Sequence, residues 1–177
     1  MLLKCSIESG FSEEGQVTSI INQSVKADFK LALRVPEWCK NFKASIDGKI
    51  YEWIPGKYLN IERSWNTAST VKVTFGLNVK NLNGGKNYPG YMAVKTGPQI
   101  LAVEQTLNPQ FTDLDKLTLG SPNIVQLIKT LLPKGWVGSQ IYSTKAFYDG
   151  KPVDLNLVPF ADAGQSNGDI SIWIKMK

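Results

Sequence analysis

The sequence predicts an all-β fold, an antiparallel β-sandwich with jelly-roll or immunoglobulin-like layers. The main observation is strict alternation of apolar and polar residues over short stretches, which places every second side chain on one face of a sheet. This alternation is clearest in LALRV, residues 31–35, and in VKVTF, residues 71–75. Turn signals separate such stretches, among them Asp47-Gly48, a pair that favours a tight type I′ hairpin turn. We therefore expect short antiparallel strands along most of the chain.

The first half of the chain is organised around LALRVPEWC, residues 31–39. Leu31, Leu33 and Val35 are expected to face a core. Pro36 has no N–H for a following ladder, so the strand should end there and present Trp38 in the connection. Further strands are expected at residues 2–8, 17–23, 42–46, 50–53, 58–65 and 70–80.

A change of composition suggests two packed sandwich units. Residues 81–91, NLNGGKNYPGY, are rich in Asn and Gly and are typical of a long loop or of a join between units. We expect a first unit at residues 1–82 and a second at 90–177, although residues 1–177 could also be counted as one domain. In the second unit, MAVKTGPQILAVEQ predicts two buried strands on either side of Gly97-Pro98.

One short helix is expected near residues 122–132. Ser121 and Pro122 are suited to the start of a helix, and apolar residues follow at helical spacing. An edge strand that contains Val125 and Ile128 is the alternative.

Composition excludes several classes of function. The net charge is +5, but basic and acidic residues are interspersed and only Arg34 and Arg63 are arginines, which disfavours nucleic-acid recognition. No apolar run is long enough to span a membrane. The chain has no His, so we expect no metal, no cofactor and no catalytic residue. Cys5 and Cys39 are expected to be two free buried thiols, with one disulfide as the alternative.

Aromatic residues near turns are candidates for carbohydrate binding, because an aromatic face can cover the apolar side of a sugar ring. Burial in a core is the competing interpretation, and it is favoured for Trp65 and Trp173, which lie within strand patterns. The candidates for carbohydrate binding are Trp38, Trp53, Tyr88, Tyr91 and Trp136.

Five motifs occur in a characteristic order: LALRVPEWC, ASIDGK, GKYLNIERSWNTASTVKVTF, YMAVKTGPQILAVE and VPFADAGQSNGDISIWI. In order and approximate spacing they resemble the C-terminal β-sandwich region of glycoside hydrolase family 127, the β-L-arabinofuranosidase family. The resemblance covers roughly residues 10–175. Lys57 interrupts one motif, and Phe160 and Ala161 stand where other aromatics are common, so the chain resembles a divergent member.

The resemblance implies a non-catalytic role. Members of that bacterial family of carbohydrate metabolism carry a zinc-bound cysteine nucleophile and a glutamate acid/base in an upstream (α/α)₆ barrel, and no residue here matches either. Cys39 should not be mistaken for the nucleophile. We expect a chain that starts a soluble protein or is cut from a longer one and that structurally supports its own absent barrel, with a possible oligomer interface. Such a parent protein would be periplasmic or extracellular. The alternatives are a carbohydrate-binding module and, less favoured, a protein-interaction sandwich.

Overall fold

The structure, a computed structural model, describes residues 2–120 and 125–177, and in those ranges it contains β-strands and short 3₁₀ turns but no α-helix. The predicted all-β class is therefore confirmed. The chain divides into two compact units, Met1–Asn78 and Val79–Lys177. Within the described ranges, no helix has the length and apolar character that a membrane span requires.

The first unit is a sandwich of two sheets of unequal width. Its strands are β1 (Leu3–Gly10), β2 (Gln16–Gln23), β3 (Ala27–Arg34), β4 (Lys43–Ile46), β5 (Lys49–Glu52), β6 (Tyr58–Trp65) and β7 (Ala68–Thr74). The larger sheet has the order β1-β2-β7-β4-β5, and the smaller sheet is the β3–β6 hairpin. Every strand pair in this unit is antiparallel.

The core of the first unit lies between these two sheets. Alternate residues of β6, among them Leu59, Ile61 and Trp65, are buried, as are Val71 and Val73 of β7. The Trp65 ring stacks on Phe29 with ring centroids 4.9 Å apart, and its indole N–H donates to the Phe29 carbonyl oxygen at 2.9 Å.

The strand predicted to organise this unit ends as expected. β3 ends at Arg34, Val35 is fully buried, and Leu31 and Leu33 are half-buried members of the core.

The predicted hairpin turn also connects the two sheets. Asp47 and Gly48 both have positive φ, 47° and 86°, and join β4 to β5 as a two-residue turn. One Asp47 oxygen accepts the Thr70 N–H at 2.8 Å, and the other accepts a hydrogen bond from the Arg63 guanidinium of β6. Burial alone would raise the pKa of Asp47, but the hydrogen bonds from Thr70, Arg63 and Ser69 and the positive charge of Arg63 outweigh it. The pKa therefore lies below its ordinary value of 3.8.

The edge strand β1 differs from the other strands of its sheet. It pairs only with β2, and every residue from Leu3 to Ser9 is exposed. Leu3, Cys5 and Ile7 are directly opposite residues of β2 that include the buried Ile21, so they lie on the core-facing side of the sheet. The smaller sheet is too narrow to cover this edge.

The burial predicted for Cys5 is therefore wrong, because alternation identifies the core-facing side of a strand but not whether anything covers it. Cys39 is buried as expected, and both thiols are free.

The second unit is a larger, curled sheet. Its strands are β8 (Val79–Asn83), β9 (Tyr91–Thr96), β10 (Gln99–Glu104), β11 (Leu117–Leu119), β12 (Ile128–Thr130), β13 (Ile141–Tyr148), β14 (Lys151–Pro159), β15 (Ile170–Ser171) and β16 (Ile174–Met176), with 3₁₀ turns η1 (Gln105–Leu107), η2 (Leu114–Lys116) and η3 (Phe160–Asp162). The strand order is β15-β10-β14-β13-β11-β16-β9-β8, and β12 pairs with β13. The pairing of β9 with β10 brings the sheet back on itself.

The interior of this curled sheet is the second core. It includes Met92, Leu101, Phe111, Leu155 and Leu157, each at most 1% exposed. The two strands predicted around Gly97-Pro98 are β9 and β10, and both are largely buried. The pairing is antiparallel except between β11 and β16, which are parallel. The Asn- and Gly-rich residues 81–91 lie within this unit, where they form the end of β8 and the loop to β9.

The helix expected near residues 122–132 is wrong for its described part. Residues 121–124 lie outside the described ranges, while Val125–Leu127 are irregular and β12 pairs with β13. Val125 is buried in the core, but Ile128 and Leu131 are 68% and 94% exposed. Helical spacing was therefore fortuitous, because these apolar side chains do not share a buried face. Ile128–Thr130 pair with β13, so the alternative edge strand is confirmed at Ile128 but not at Val125.

A buried carboxylate anchors a loop in the second unit. Glu104, the last residue of β10, is fully buried. Its side chain accepts hydrogen bonds from the Thr106 and Ser166 hydroxyls and from the Gly164 N–H, the last at 3.0 Å. Three donors compensate for the lost hydration of the carboxylate and hold the loop after η3 against β10.

We expect Asp47→Asn to lower the free energy of unfolding at pH 7 by up to about 1 kcal/mol, because the partly exposed ion pair with Arg63 is lost. The stabilisation from a lowered pKa is fully present above pH 3.8 and is lost as the pH falls through the folded-state pKa. The difference between variant and parent should therefore shrink below pH 4 in urea titrations. Asp154→Asn, in the more exposed Lys145–Asp154 pair, is the control and should have less effect. A difference that persists unchanged at pH 2 would contradict this account.

We expect Glu104→Gln to destabilise the chain by about 1–3 kcal/mol, because the amide nitrogen cannot accept one of the three hydrogen bonds and its own buried N–H groups would face donors instead of acceptors. Chemical denaturation measures this change, and amide hydrogen exchange at Gly164 should accelerate. Glu62→Gln is the matched control, since Glu62 is in an exposed pair with Lys30. Equal stabilities of parent and Glu104→Gln would show that the carboxylate does not hold the loop.

Candidate functional site

The two aromatic candidates in the first unit have different surroundings. Trp38 is half-buried, and its ring lies 5.7 Å from Phe11 and 6.1 Å from Phe75 between centroids. Trp53 is 45% exposed and borders a shallow depression with Phe42. The structure therefore places Trp38 in a structural aromatic cluster and Trp53 at the surface, and it does not bring these two side chains together in one site.

The candidates in the second unit include two neighbours of a cleft. Tyr88 is 46% exposed and stacks on Trp173 with centroids 4.8 Å apart and ring planes 17° from parallel. Tyr91 lines a cleft together with Trp173. Trp136 is elsewhere, half-buried against Gly138, where a Cβ would lie only 2.4 Å from the indole nitrogen. Trp136 is thus held by close packing on the backbone.

The cleft beside Tyr91 and Trp173 has a volume of about 360 Å³ and is lined mainly by polar groups. Asp113 and Asp115 are on one side, at η2, and Asp169 is on the other, just before β15. All three aspartates are exposed. The lining of this cleft combines aromatic, acidic and basic side chains.

Local structure explains why these residues converge. Lys175 of β16 is directly opposite Tyr91 of β9, and its ammonium lies 5.9 Å from the centre of the Tyr91 ring. The same ammonium donates to the Asp115 carbonyl oxygen at 3.0 Å. Asp113 accepts the Asp115 N–H at 2.9 Å and so caps η2. A strand pair and a capped turn therefore form two walls of the cleft.

The opposite wall is fixed mainly through backbone groups. The Asp169 carbonyl oxygen accepts the Gln105 N–H at 3.0 Å, and the Asp169 N–H donates to the Gln105 side chain at 3.3 Å. Ser171 donates its hydroxyl to the Trp173 carbonyl oxygen at 2.8 Å. Because these bonds use the main chain of Asp169, its carboxylate is available to solvent or to a ligand.

Sequence reasoning missed most of this cleft. The sequence pattern did not single out Asp113 or Asp115 as site residues, and it favoured burial in a core for Trp173. One signal was available: Trp173 interrupts the apolar alternation of Ile170, Ile172 and Ile174, and in the structure it stands between two separate strands. Nothing local in the sequence indicated that η2 lies beside β16, because that neighbourhood arises from pairing between distant strands.

Other surfaces offer less chemistry. A larger groove of about 630 Å³ is lined by Leu119, Val125, Ile128 and Phe147 among others, and is mostly apolar. Within residues 2–120 and 125–177, no three potential metal ligands lie close enough to hold an ion. Cys39 is fully buried in the first core and has no access to a substrate.

A family model and solved structures show which known proteins this chain is similar to. Residues 2–77 match the family model described as the middle domain of GH127 β-L-arabinofuranosidases. The chain also resembles a GH127 β-L-arabinofuranosidase from Geobacillus stearothermophilus T6, with a TM-score of 0.82 and 21% identity over 99% of this chain and 31% of that chain. A search of curated proteins found no match.

Two further structures have the same fold. One, described as a glycoside hydrolase, gives a TM-score of 0.80 and 20% identity over 98% of this chain and 32% of that chain. The other, a GH127 β-arabinofuranosidase, gives a TM-score of 0.79 and 23% identity over 98% of this chain and 31% of that chain. The chain therefore spans about a third of the length of the structures that it matches.

The structural matches share the all-β fold of this chain. The resemblance to glycoside hydrolase family 127 inferred from the sequence motifs is confirmed, since residues 2–77 match a model of that family. The matching model describes a middle domain, so the C-terminal position expected from the sequence is not confirmed.

We expect Trp38→Ala to destabilise the chain by about 2–3 kcal/mol, because it removes a half-buried ring from contacts with Phe11 and Phe75. Trp53→Ala is the control, and should change the stability by less than about 0.5 kcal/mol because its ring is more exposed. Thermal and urea unfolding of the two variants measure the contrast. Equal effects of the two substitutions would contradict the structural role of Trp38.

Proposed function

We propose that this chain is a non-catalytic β-sandwich region of a family 127 glycoside hydrolase and that it supports the catalytic barrel of that longer protein. The observation that carries the proposal is the uncovered core-facing side of β1. Leu3 is 50% exposed and Ile7 is 67% exposed on that side, next to Leu2 at 75%. The family match and the likeness to proteins about three times as long support the same conclusion.

The energetics favour a covering partner for this face. Complete burial of a leucine or isoleucine side chain contributes roughly 1.5–3 kcal/mol relative to full exposure. Leu3, Cys5 and Ile7 continue the inner face of a sheet. On that same face, Ile21 and Val71 of the neighbouring strands are buried. An apolar surface contributed by the longer protein would extend this core and hold the sandwich in place.

The burial of Cys39 and Glu104 keeps both groups from acting on a sugar, which supports a non-catalytic role. Covalent glycosidase chemistry needs a nucleophile that a sugar can reach, with an acid/base group nearby. Cys39 is buried, and Glu104 is fully buried with its carboxylate hydrogen-bonded by loop donors. The β-L-arabinofuranosidase activity named for the relatives is proposed here for the longer protein, with its catalytic groups in the part that this chain does not contain.

Two assays test this proposal. The purified chain should not hydrolyse p-nitrophenyl β-L-arabinofuranoside, with the Geobacillus enzyme as the positive control. In a chimera, this chain replaces the corresponding third of the Geobacillus enzyme, and a folded, active chimera would show that the chain can support the barrel. Turnover by the isolated chain would overturn the non-catalytic assignment, and a chimera no more active or stable than the barrel alone would overturn the supporting role.

We expect Ile7→Thr to leave the stability of the isolated chain within about 0.5 kcal/mol, because Ile7 is exposed there. In the chimera the same substitution should lower the melting temperature, because the side chain becomes buried. Ile50→Thr is the matched control: Ile50 is also 67% exposed, but it lies on the opposite edge strand of the same sheet and opposite Ser45. A chimera that is equally affected by both substitutions would show that β1 is not specifically covered. Concentration-dependent dimerisation of the isolated chain that Ile7→Lys abolishes would assign this face to self-association instead.

A further inference from the structure

The cleft between η2, β15 and β16 has aromatic and acidic side chains that the folding of the second unit does not require. Its walls place the rings of Tyr91 and Trp173 next to exposed carboxylates, and Tyr88, which is outside the cleft lining, stacks on Trp173. A tyrosine that is 46% exposed contributes little to folding by burial. An aromatic surface beside hydrogen-bonding groups is instead suited to a ligand that is apolar on one side and polar on the other.

The charges of the cleft restrict the class of ligand. Asp113, Asp115 and Asp169 provide three carboxylates, and none of them pairs with a cation among the described residues. Lys175 provides one ammonium, which already donates to a backbone oxygen. The cleft therefore has a net negative charge, which repels phosphates, uronic acids and other anions. A metal ion is also disfavoured, since no three ligands within the described ranges converge on one point.

A neutral sugar satisfies both conditions. The C–H groups on one side of a sugar ring pack on an aromatic face, while its hydroxyls donate to carboxylates and exchange hydrogen bonds with Thr112 and Ser171. The volume of about 360 Å³ is at the lower end of the range for ligand sites, which fits one or two sugar units better than a long chain segment.

We propose that this cleft is a binding site for the end of a neutral oligosaccharide, with Tyr91 and Trp173 as the aromatic surface, Tyr88 as the ring that positions Trp173, and Asp113, Asp115 and Asp169 as acceptors of the sugar hydroxyls. Binding involves no bond cleavage. The proposal does not depend on the supporting role proposed above, because the cleft is formed entirely by residues of the second unit.

Affinity electrophoresis of the whole chain in gels that contain neutral arabinan, galactan or xylan tests the proposal. It is followed by calorimetry with oligosaccharides from the polymer that retards the chain. We expect retardation by at least one polymer and binding of its oligosaccharides. Sorbitol, which has hydroxyls but no ring, should not compete.

Variants locate the binding. Tyr88→Ala should weaken binding about ten-fold because Trp173 loses the ring that stacks on it and positions it. Asp169→Ala should weaken binding several-fold while its backbone hydrogen bonds remain. Trp53→Ala is the matched control, because Trp53 is 45% exposed but lies in the first unit, and it should bind like the parent. Circular dichroism and melting temperatures confirm that each variant is folded.

The proposal is overturned if none of the three polymers retards the folded chain. It is equally overturned if Tyr88→Ala and Asp169→Ala bind as the parent does. Binding lost only in Trp53→Ala would move the site to the first unit.

Discussion

In the first unit, the two-stranded β3–β6 sheet must cover the inner face of the five-stranded sheet. Most of the structure of this unit depends on that constraint. The β6 strand meets it most completely, with Leu59, Ile61 and Trp65 buried against the larger sheet. The Trp65 indole is fixed by its hydrogen bond to Phe29 and by the Arg63 guanidinium 4.2 Å from its ring. Arg63 in turn pairs with Asp47 at the β4–β5 turn, so the same strand that fills the core also fixes the sheets to each other. At the β1 edge no strand is left to provide cover.

The sequence predicts which face of a strand is apolar far better than whether that face is covered. Leu31, Leu33 and Val35 face the core as their alternation indicated, and the Asp47-Gly48 turn forms where its backbone requirements predicted it. Both results depend on local geometry. Cys5 has the same alternation but is exposed, because its burial depends on the width of a sheet formed from strands much further along the chain.

The same limit explains the two largest misses in the second unit. Residues 125–132 fit a helical period, yet three residues of this stretch pair with β13, and those backbone bonds are invisible to a periodicity argument. Trp173 fitted a strand pattern, yet it lies at a break between β15 and β16 and lines a cleft. The cleft depends on the parallel pairing of β11 with β16 and on the cap that Asp113 forms for η2. Only the order and spacing of the five motifs indicated the fold as a whole, because they extend over most of the chain.

The uncovered face of β1 and the cleft of the second unit require different kinds of contact. The β1 face is apolar and belongs to an edge strand. Covering it would stabilise the protein by removing apolar area from water, and this imposes few directional requirements on the covering surface. The cleft is concave and its carboxylates are hydrogen-bond acceptors, so the binding energy of the proposed ligand would depend on where its donors lie. An apolar protein surface could cover the β1 face without resembling a sugar. A sugar could fit the cleft without burying much area. The proposed supporting role of the first unit and the proposed carbohydrate site of the second are therefore compatible in one chain, and neither proposal needs a catalytic residue.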